Sequence, residues 1–408
     1  MIGQSLKAAM AALADTTPVD EVAIRAHRLD RVRAGVEAAD VAALLIFDSV
    51  NLRYVTGSRN MQVWTMHNAC RYGLLAAGGP MVLFELPTGF HLAKQLETID
   101  EVRTALSADY LVVGPRADEI AARMAAEIAS VIREHGGGNH RLAVDRLDVP
   151  LAHALMAEGL TIVDGKGILE VARSIKSVEE IRALKRSLGT CEAAMADMRA
   201  QLVPGMTEQQ ALSILIAGSI ARGGEYPETR LMTSGPRTNP WFQETNDRVM
   251  EAGDFLAFDT DLIGPMGFYN DISRTWRIGG GMPSDEQRTL YDLSRRQIDH
   301  NMALMRPGLG FLEFGDLSFQ LPEPYITNRY ADVGHGCGLG VEYPFLWYRE
   351  DAEYGAYDGV LEENMVICLE SYVGASGGHE GVKLEQPVWV TADGPLLLAD
   401  TPLEDDYA

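Results

Sequence analysis

Two acids in an apolar strand open the functional reading. In Phe255–Leu–Ala–Phe–Asp259–Thr–Asp261, strand alternation places Asp259 and Asp261 on one face. The following Gly264–Pro265–Met266–Gly267 reads as a turn. Folding the chain about Met266 sets Asp261 opposite Asp271, because each lies five residues from it. Three carboxylates then converge on one patch of an otherwise apolar hairpin. An isolated Asp-x-Asp pair usually faces solvent at a sheet edge. Buried together, such groups repel, and ionised carboxylates are costly to bury without a compensating cation. A metal ion is the simplest such cation.

A second hairpin shares the property. Met365–Val–Ile–Cys–Leu–Glu370 is an apolar strand ending in an acid, Gly374, Gly377 and Gly378 supply a turn, and Val382–Lys–Leu–Glu385 returns. Glu370 and Glu385 fall opposite each other when the chain folds about Gly377 and Gly378. Between the hairpins lies Gly334–His335–Gly336–Cys337–Gly338, whose glycines let backbone approach closely around one imidazole. A lone histidine is usually structural; one flanked by glycines and accompanied by five strand acids reads as a ligand. Asp259, Asp261, Asp271, His335, Glu370 and Glu385 together make a mainly hard-oxygen site suited to two divalent ions. Iron, manganese or cobalt suit it best, zinc is compatible, and copper or calcium fit poorly. Such a pair polarises a carboxyl or carbonyl group and acidifies a bridging water.

Positioning these side chains needs a strand-rich half, and from 229 onward the pattern is strands with Gly and Pro turns, broken by one helix near 284–305. The first half alternates differently. An amphipathic helix over 20–39 leads to a buried strand at 41–49, which runs into the turn-like VNLRYVTGS. YGLLAA and PMVLFEL read as strands, 117–135 as a helix broken by GGGN, RLAVDRLD as a strand and LAHALMAEG as a helix. This alternation suits a layered α/β domain. Near 173 the character changes: Ser177 with Glu180, and Thr207 with Gln210, form capping boxes that open two helices. The expected division is an α/β domain over 1–172 and a catalytic domain over 173–408.

Length and composition narrow the function classes. A chain of 408 residues is long enough for two folded units. With 35 basic against 58 acidic residues and a formal charge of −23, it repels phosphate backbones and anionic lipid. Nucleic acid and membrane surfaces are therefore excluded as partners. The four cysteines form no CxxC pair, so neither a zinc knuckle nor a disulfide scaffold is indicated, and a reducing cytoplasm is the expected location. The first residues are too weakly apolar for a signal peptide, and no run approaches a membrane span.

The order Asp, Asp, His, Glu, Glu on these hairpins resembles the ligand set of the pita-bread metalloenzymes, which include methionine aminopeptidase, prolidase, aminopeptidase P and creatinase. DSVNLRYVTGS and RSIKSVEEIRALKRS are similar to the creatinase-type amino-terminal domain and its exit helix. LMTSGPRTNPWF, FDTDLIGPMGFYNDISRTW, GHGCGLG and GVKLEQPVWVTADG are similar to the catalytic half. The resemblance implies an α+β fold, a creatinase-like amino-terminal α/β domain followed by a pita-bread catalytic domain. The peptidases of that superfamily usually have their first two ligand aspartates eleven residues apart, and two further histidines. Here Asp261 and Asp271 are ten apart, Asp259 is an added acid, and Trp241 and Glu342 stand where those histidines are expected.

SRNMQVWTMHN, SGPRTNPWFQE, FDTDLIG, DISRTW and GAYD followed by LE resemble instead the dimethylsulfoniopropionate lyases of the DddP type. That resemblance implies a homodimeric iron enzyme eliminating dimethyl sulfide from a small zwitterion to leave acrylate. It implies the same six ligands, Asp271 and His335 among the catalytic residues, and Tyr330 as an active-site tyrosine. In those lyases an aspartate six residues beyond the ligand histidine removes the proton alpha to the carboxylate. Val341 stands there in this chain, and a valine accepts no proton. Neighbouring Glu342 is the candidate base, although an offset of one residue points it to another face of an extended strand. Trp64, Trp241 and Tyr269 are the aromatic candidates for the cationic head of the substrate, Trp64 from a partner subunit. Two further readings accompany this one: an Xaa-Pro dipeptidase-like or amidinohydrolase-like metallohydrolase with Glu370 as acid and base, and a non-catalytic metal-binding homologue.

Overall fold

The computed structural model describes residues 4–407. They form two compact units, Asp20–Arg173 and the chain from Ser174 onward together with the segment before Asp20. The sequence reading had put that first segment in the amino-terminal domain. It joins the second unit because helix Gln4–Ala14 packs on helix Val178–Gln201, and Arg182 Nη2 lies 3.1 Å from Asp15 Oδ2 and 2.9 Å from the Thr17 carbonyl.

The Asp20–Arg173 unit is built on six strands, β1 (Ala43–Ile46), β2 (Tyr72–Ala76), β3 (Met81–Glu85), β4 (Glu101–Thr104), β5 (Arg141–Val144) and β6 (Thr161–Asp164). Their order is β4-β3-β2-β1-β5-β6, with β1, β5 and β6 mutually parallel and β2 antiparallel to both its neighbours. The three middle strands β1 to β3 are buried on both faces, which is why they read as unbroken apolar runs. Helix Ala117–His135 supplies Ile120, Met124, Ile128 and Ile132, four residues apart, to the core that holds Leu45, Phe84 and Leu142. The stretch read as a turn is a helix, Ser49–Thr56. Asp48 caps its Val50 and Asn51 amides, and Gly57 ends it at φ 75°. These two caps outweigh the weak helix propensity of the valines, threonine and asparagine between them.

In the second unit both expected capping boxes are made, opening helices Val178–Gln201 and Glu208–Ala221. Then come β7 (Tyr226–Pro227), β8 (Met232–Ser234), β9 (Phe255–Asp259), β10 (Leu262–Ile263), β11 (Tyr269–Asn270) and β12 (Ser273–Arg277). They make two small antiparallel sheets, β11-β10-β7 and β12-β9-β8. After helix Asp285–Leu304, five antiparallel strands follow: β13 (Gly334–Cys337), β14 (Val341–Leu346), β15 (Val366–Gly374), β16 (Gly381–Thr391) and β17 (Gly394–Leu397). Their order is β14-β13-β15-β16-β17. Helix Asp285–Leu304 packs against β15 and β16, covering a core of Ile298, Leu369, Val373, Val382 and Val388. A short helix, Phe311–Leu317, is a second one in this half that periodicity did not reveal, because its seven residues are under two turns long. No described helix is long and apolar enough to cross a membrane.

Candidate metal centre

The first hairpin closes with the register that residue spacing requires. Asp259 stands opposite Ser273 in β9–β12, Leu262 stands opposite Asn270 in β10–β11, and both ladders centre on Met266 at φ 61°. The same count sets Asp261 level with Asp271. Asp261 lies just past the end of β9 with φ 41°, a left-handed conformation that aspartate tolerates better than most residues. Its carboxylate accepts from Tyr269 Oη on one oxygen and Thr229 Oγ1 on the other.

The second hairpin pairs Glu370 directly with Glu385 across β15–β16. Beside it, β13 carries His335 between Phe345 of β14 and Cys368 of β15. The flanking glycines are required by close packing: a Cβ on Gly334 would meet the Cys368 carbonyl at 2.6 Å, and one on Gly336 the Tyr343 carbonyl at 2.4 Å. His335 Nδ1 lies 3.1 Å from the Gly336 carbonyl; a carbonyl only accepts hydrogen bonds, so Nδ1–H is the donor there and Nε2 is the nitrogen that faces the acids. Nε2 lies 3.5 Å from Asp271 Oδ2, 3.5 Å from Glu370 Oε1 and 3.9 Å from Glu385 Oε1.

All six side chains are buried, and three overlapping sets of ligand atoms each fall within 4.8 Å of one another: Asp271, His335 and Glu385; Asp259, Glu370 and Glu385; Asp259, Asp261 and Asp271. Burial drives the Asp271 and Glu385 carboxyls well above their ordinary range, Asp271 further by Glu385 and Glu385 further by Glu370. Asp261 is raised to about 7 by burial and by Asp259. Burial opposes the His335 imidazolium, but Glu370 and Asp332 outweigh it and lift the ring to about 10. A cluster that retains protons this strongly is short of positive charge. Asp259 Oδ1 and Glu385 Oε1 are buried with no hydrogen-bond partner among the described residues. Unpartnered carboxylate oxygens among clustered acids, with one imidazole nitrogen beside Asp271, Glu370 and Glu385, fit hard divalent ions.

Other expected residues fall differently. Tyr330 and Trp241 lie at the cluster, their rings 4.6 and 5.8 Å from the buried Lys383 Nζ. Tyr269 is buried and its hydroxyl donates to Asp261, so it braces one of the clustered acids. Glu342 is held by groups of its own unit. Lys176 Nζ lies 3.0 Å from its Oε2, the Leu339 amide donates to Oε1 at 2.7 Å, and both ion-pair partners are buried. A carboxylate held by an ammonium and an amide is a poor proton acceptor. Val341, one residue earlier on β14, is 48% exposed while Glu342 is buried, the alternation expected of a strand. Trp64 belongs to the amino-terminal unit, exposed on helix Gln62–His67.

Three residues escaped the sequence reading. Lys383 is fully buried on β16 with its ammonium among the acids; burial disfavours its charge, but Asp259, Glu370 and Glu385 hold it charged. It lies two residues before Glu385, hence on the same strand face, a signal that was available. Asp332 is fully buried with neither carboxylate oxygen hydrogen-bonded among the described residues. Phe242, 61% exposed at φ 65°, packs its ring 5.3 Å from that of Tyr330.

Residues 182–392 match the Metallopeptidase family M24 model, and residues 28–175 match the Creatinase/Prolidase N-terminal domain. The chain belongs to metallopeptidase family M24. Among M24 relatives it is similar to the dimethylsulfoniopropionate lyase DddP of Roseovarius nubinhibens, 37% identical over 93% of this chain and 86% of that one. It is equally similar to DddP of Roseobacter denitrificans, 37% identical over 94% of this chain and 87% of that one. Its fold resembles the Xaa-Pro dipeptidase from Bacillus anthracis, with a TM-score of 0.75 at 21% identity, covering 92% of this chain and 98% of that one. The M24 assignment and these likenesses bear out the α+β reading of a creatinase-like domain followed by a pita-bread domain.

Proposed function

We propose that this M24 protein is a metal-dependent carbon–sulfur lyase that cleaves dimethylsulfoniopropionate, or a closely related zwitterionic carboxylate, by β-elimination to dimethyl sulfide and acrylate. The observation that carries the reading is similarity to two such lyases at 37% identity across nearly the whole chain. Its metal ligands are Asp259, Asp261, Asp271, His335, Glu370 and Glu385, and iron is the preferred metal. Two divalent ions there would supply Lewis acidity to the substrate carboxylate and so acidify its alpha carbon.

The protein's own groups supply the rest. The rings of Trp241, Phe242 and Tyr330 lie beside the acids, Trp241 and Tyr330 each with one face toward the Lys383 ammonium, and the ring faces left over would attract the sulfonium. A carboxylate takes the alpha proton, the freed electron pair becomes the carbon–carbon double bond, and the carbon–sulfur bond breaks with its pair leaving on sulfur. With Glu342 tied to Lys176, Asp332 is the acceptor we assign. The protein acts as a cytoplasmic homodimer in which Trp64 reaches the partner's pocket.

Headspace detection of dimethyl sulfide from iron-loaded protein tests the reading, and absence of the gas at full metal occupancy overturns it. Val341 supports a second reading, hydrolysis of an Xaa-Pro dipeptide or an amidine with Glu370 as acid and base. Release of proline without dimethyl sulfide would establish it.

A further inference from the structure

The carboxylates of the centre have two sides. Lys383 Nζ lies 2.6 Å from Glu370 Oε2, 3.1 Å from Asp259 Oδ2 and 3.4 Å from Glu385 Oε2. His335 Nε2 faces the opposite oxygens, Oε1 of Glu370 and Oε1 of Glu385. Asp259 Oδ1, the oxygen not facing the ammonium, has no partner among the described residues. Each of these acids therefore turns one oxygen to the lysine; Glu370 and Glu385 turn the other to the imidazole, and Asp259 keeps the other unpartnered. The ammonium is also held in place: Ser273 Oγ lies 2.7 Å away, and Ser273 in turn donates to Glu385 Oε2 at 2.8 Å. The Tyr330 ring closes over it at 4.6 Å.

Charge adds an independent argument. Five ligand carboxylates against two divalent ions leave one excess negative charge in a fully buried site, which a low-dielectric interior penalises. One ammonium cancels it.

We propose that Lys383 is the fixed third cation of this centre: it orients the outer oxygens of Asp259, Glu370 and Glu385 and, with a divalent pair, balances the charge of the five ligand carboxylates. The centre consequently selects two divalent ions over a divalent–trivalent pair. Lys383 is a positioning residue, touching ligands and not substrate. The inference rests on the two-metal reading above and is independent of which reaction the centre performs.

The test is anaerobic ferrous loading of wild type, Lys383→Met, Lys383→Gln and Lys383→Arg, with iron per chain and the ferrous–ferric midpoint potential measured on each. Wild type and Lys383→Arg should hold two irons at matching potentials. Met and Gln variants should shift the midpoint to more negative values and accumulate ferric iron, because the lost positive charge no longer opposes oxidation. Neutral variants holding two irons at the wild-type potential would overturn the proposal. Should the neutral variants not fold, wild type equilibrated with zinc(II) and gallium(III) replaces them. Uptake of two zinc ions without gallium supports the inference, and a stable mixed pair overturns it. Wild type that binds no metal under any loading sinks the two-metal reading itself, an outcome separable from any difference among variants.

Discussion

Glu370 and Glu385 face each other across the β15–β16 ladder, both buried. Like charges directly opposite on a sheet repel, so the pair is stable only with protons or cations between its members. Replacing Glu385 with Gln should remove at least one metal per chain and lower turnover by more than about 100-fold. Elemental analysis of the purified variant checks the first effect, and steady-state rates the second. Full metal content in the variant would contradict the assignment.

Asp332 offers the pH test. Burial raises its carboxyl to about 7, well above the ordinary carboxylate value of 3.8. A base works ionised, so turnover should rise with pH through about 7 and level off above it. Asp332→Asn should cut kcat by about 100-fold or more without changing metal content. Because folding raises this carboxyl above its unfolded value, its contribution to stability is full below about pH 4 and declines as pH rises through about 7. The Asn variant should lose that part of the pH dependence in a denaturation series.

Val341 and Glu342 separate chemistry from structure. Glu342→Gln leaves the buried Lys176 without its carboxylate and should destabilise the protein by roughly 3–5 kcal/mol, read by denaturant unfolding. The kcat of the folded fraction should stay near wild type. Val341→Asp points a carboxylate to the other side of β14 and should raise dimethyl sulfide release. Lower release from the aspartate variant would show that this face does not meet substrate.

Aromatic substitutions should act on binding. Trp241→Leu and Phe242→Leu should each raise KM about 2- to 30-fold, the range of one cation–π contact, while leaving kcat within a few-fold. Inhibition by 4-methylpentanoate, which carries carbon in place of the sulfonium, should be unaffected by either change. Equal weakening of the neutral and cationic ligands would mean that the rings act by shape alone.

Much of this protein is written in local pattern. Alternation and turn spacing placed Asp261 level with Asp271 and Glu370 opposite Glu385, because hairpin register follows from counting residues about a turn. Capping boxes at Ser177 and Thr207 marked two helix starts for the same reason: both halves of the interaction lie within one turn. The glycines around His335 announced close packing without saying against what. Helix Ser49–Thr56 was missed because its caps, Asp48 and Gly57, enclose residues of weak helix propensity.

What the sequence by itself determined was the acid-bearing hairpins, the layered halves and the family. Tertiary structure alone decided which polar groups are available. Lys176 and Glu342 are 166 residues apart, yet they form a buried ion pair that no local pattern announces. Lys383 and Asp259, 124 apart, meet inside the centre. The Tyr269 hydroxyl went to Asp261, while Asp332 was left with no hydrogen-bond partner among the described residues. Local periodicity fixes the face on which a side chain lies, but its charge partner comes from a distant strand, and in a buried site that partner sets the chemistry.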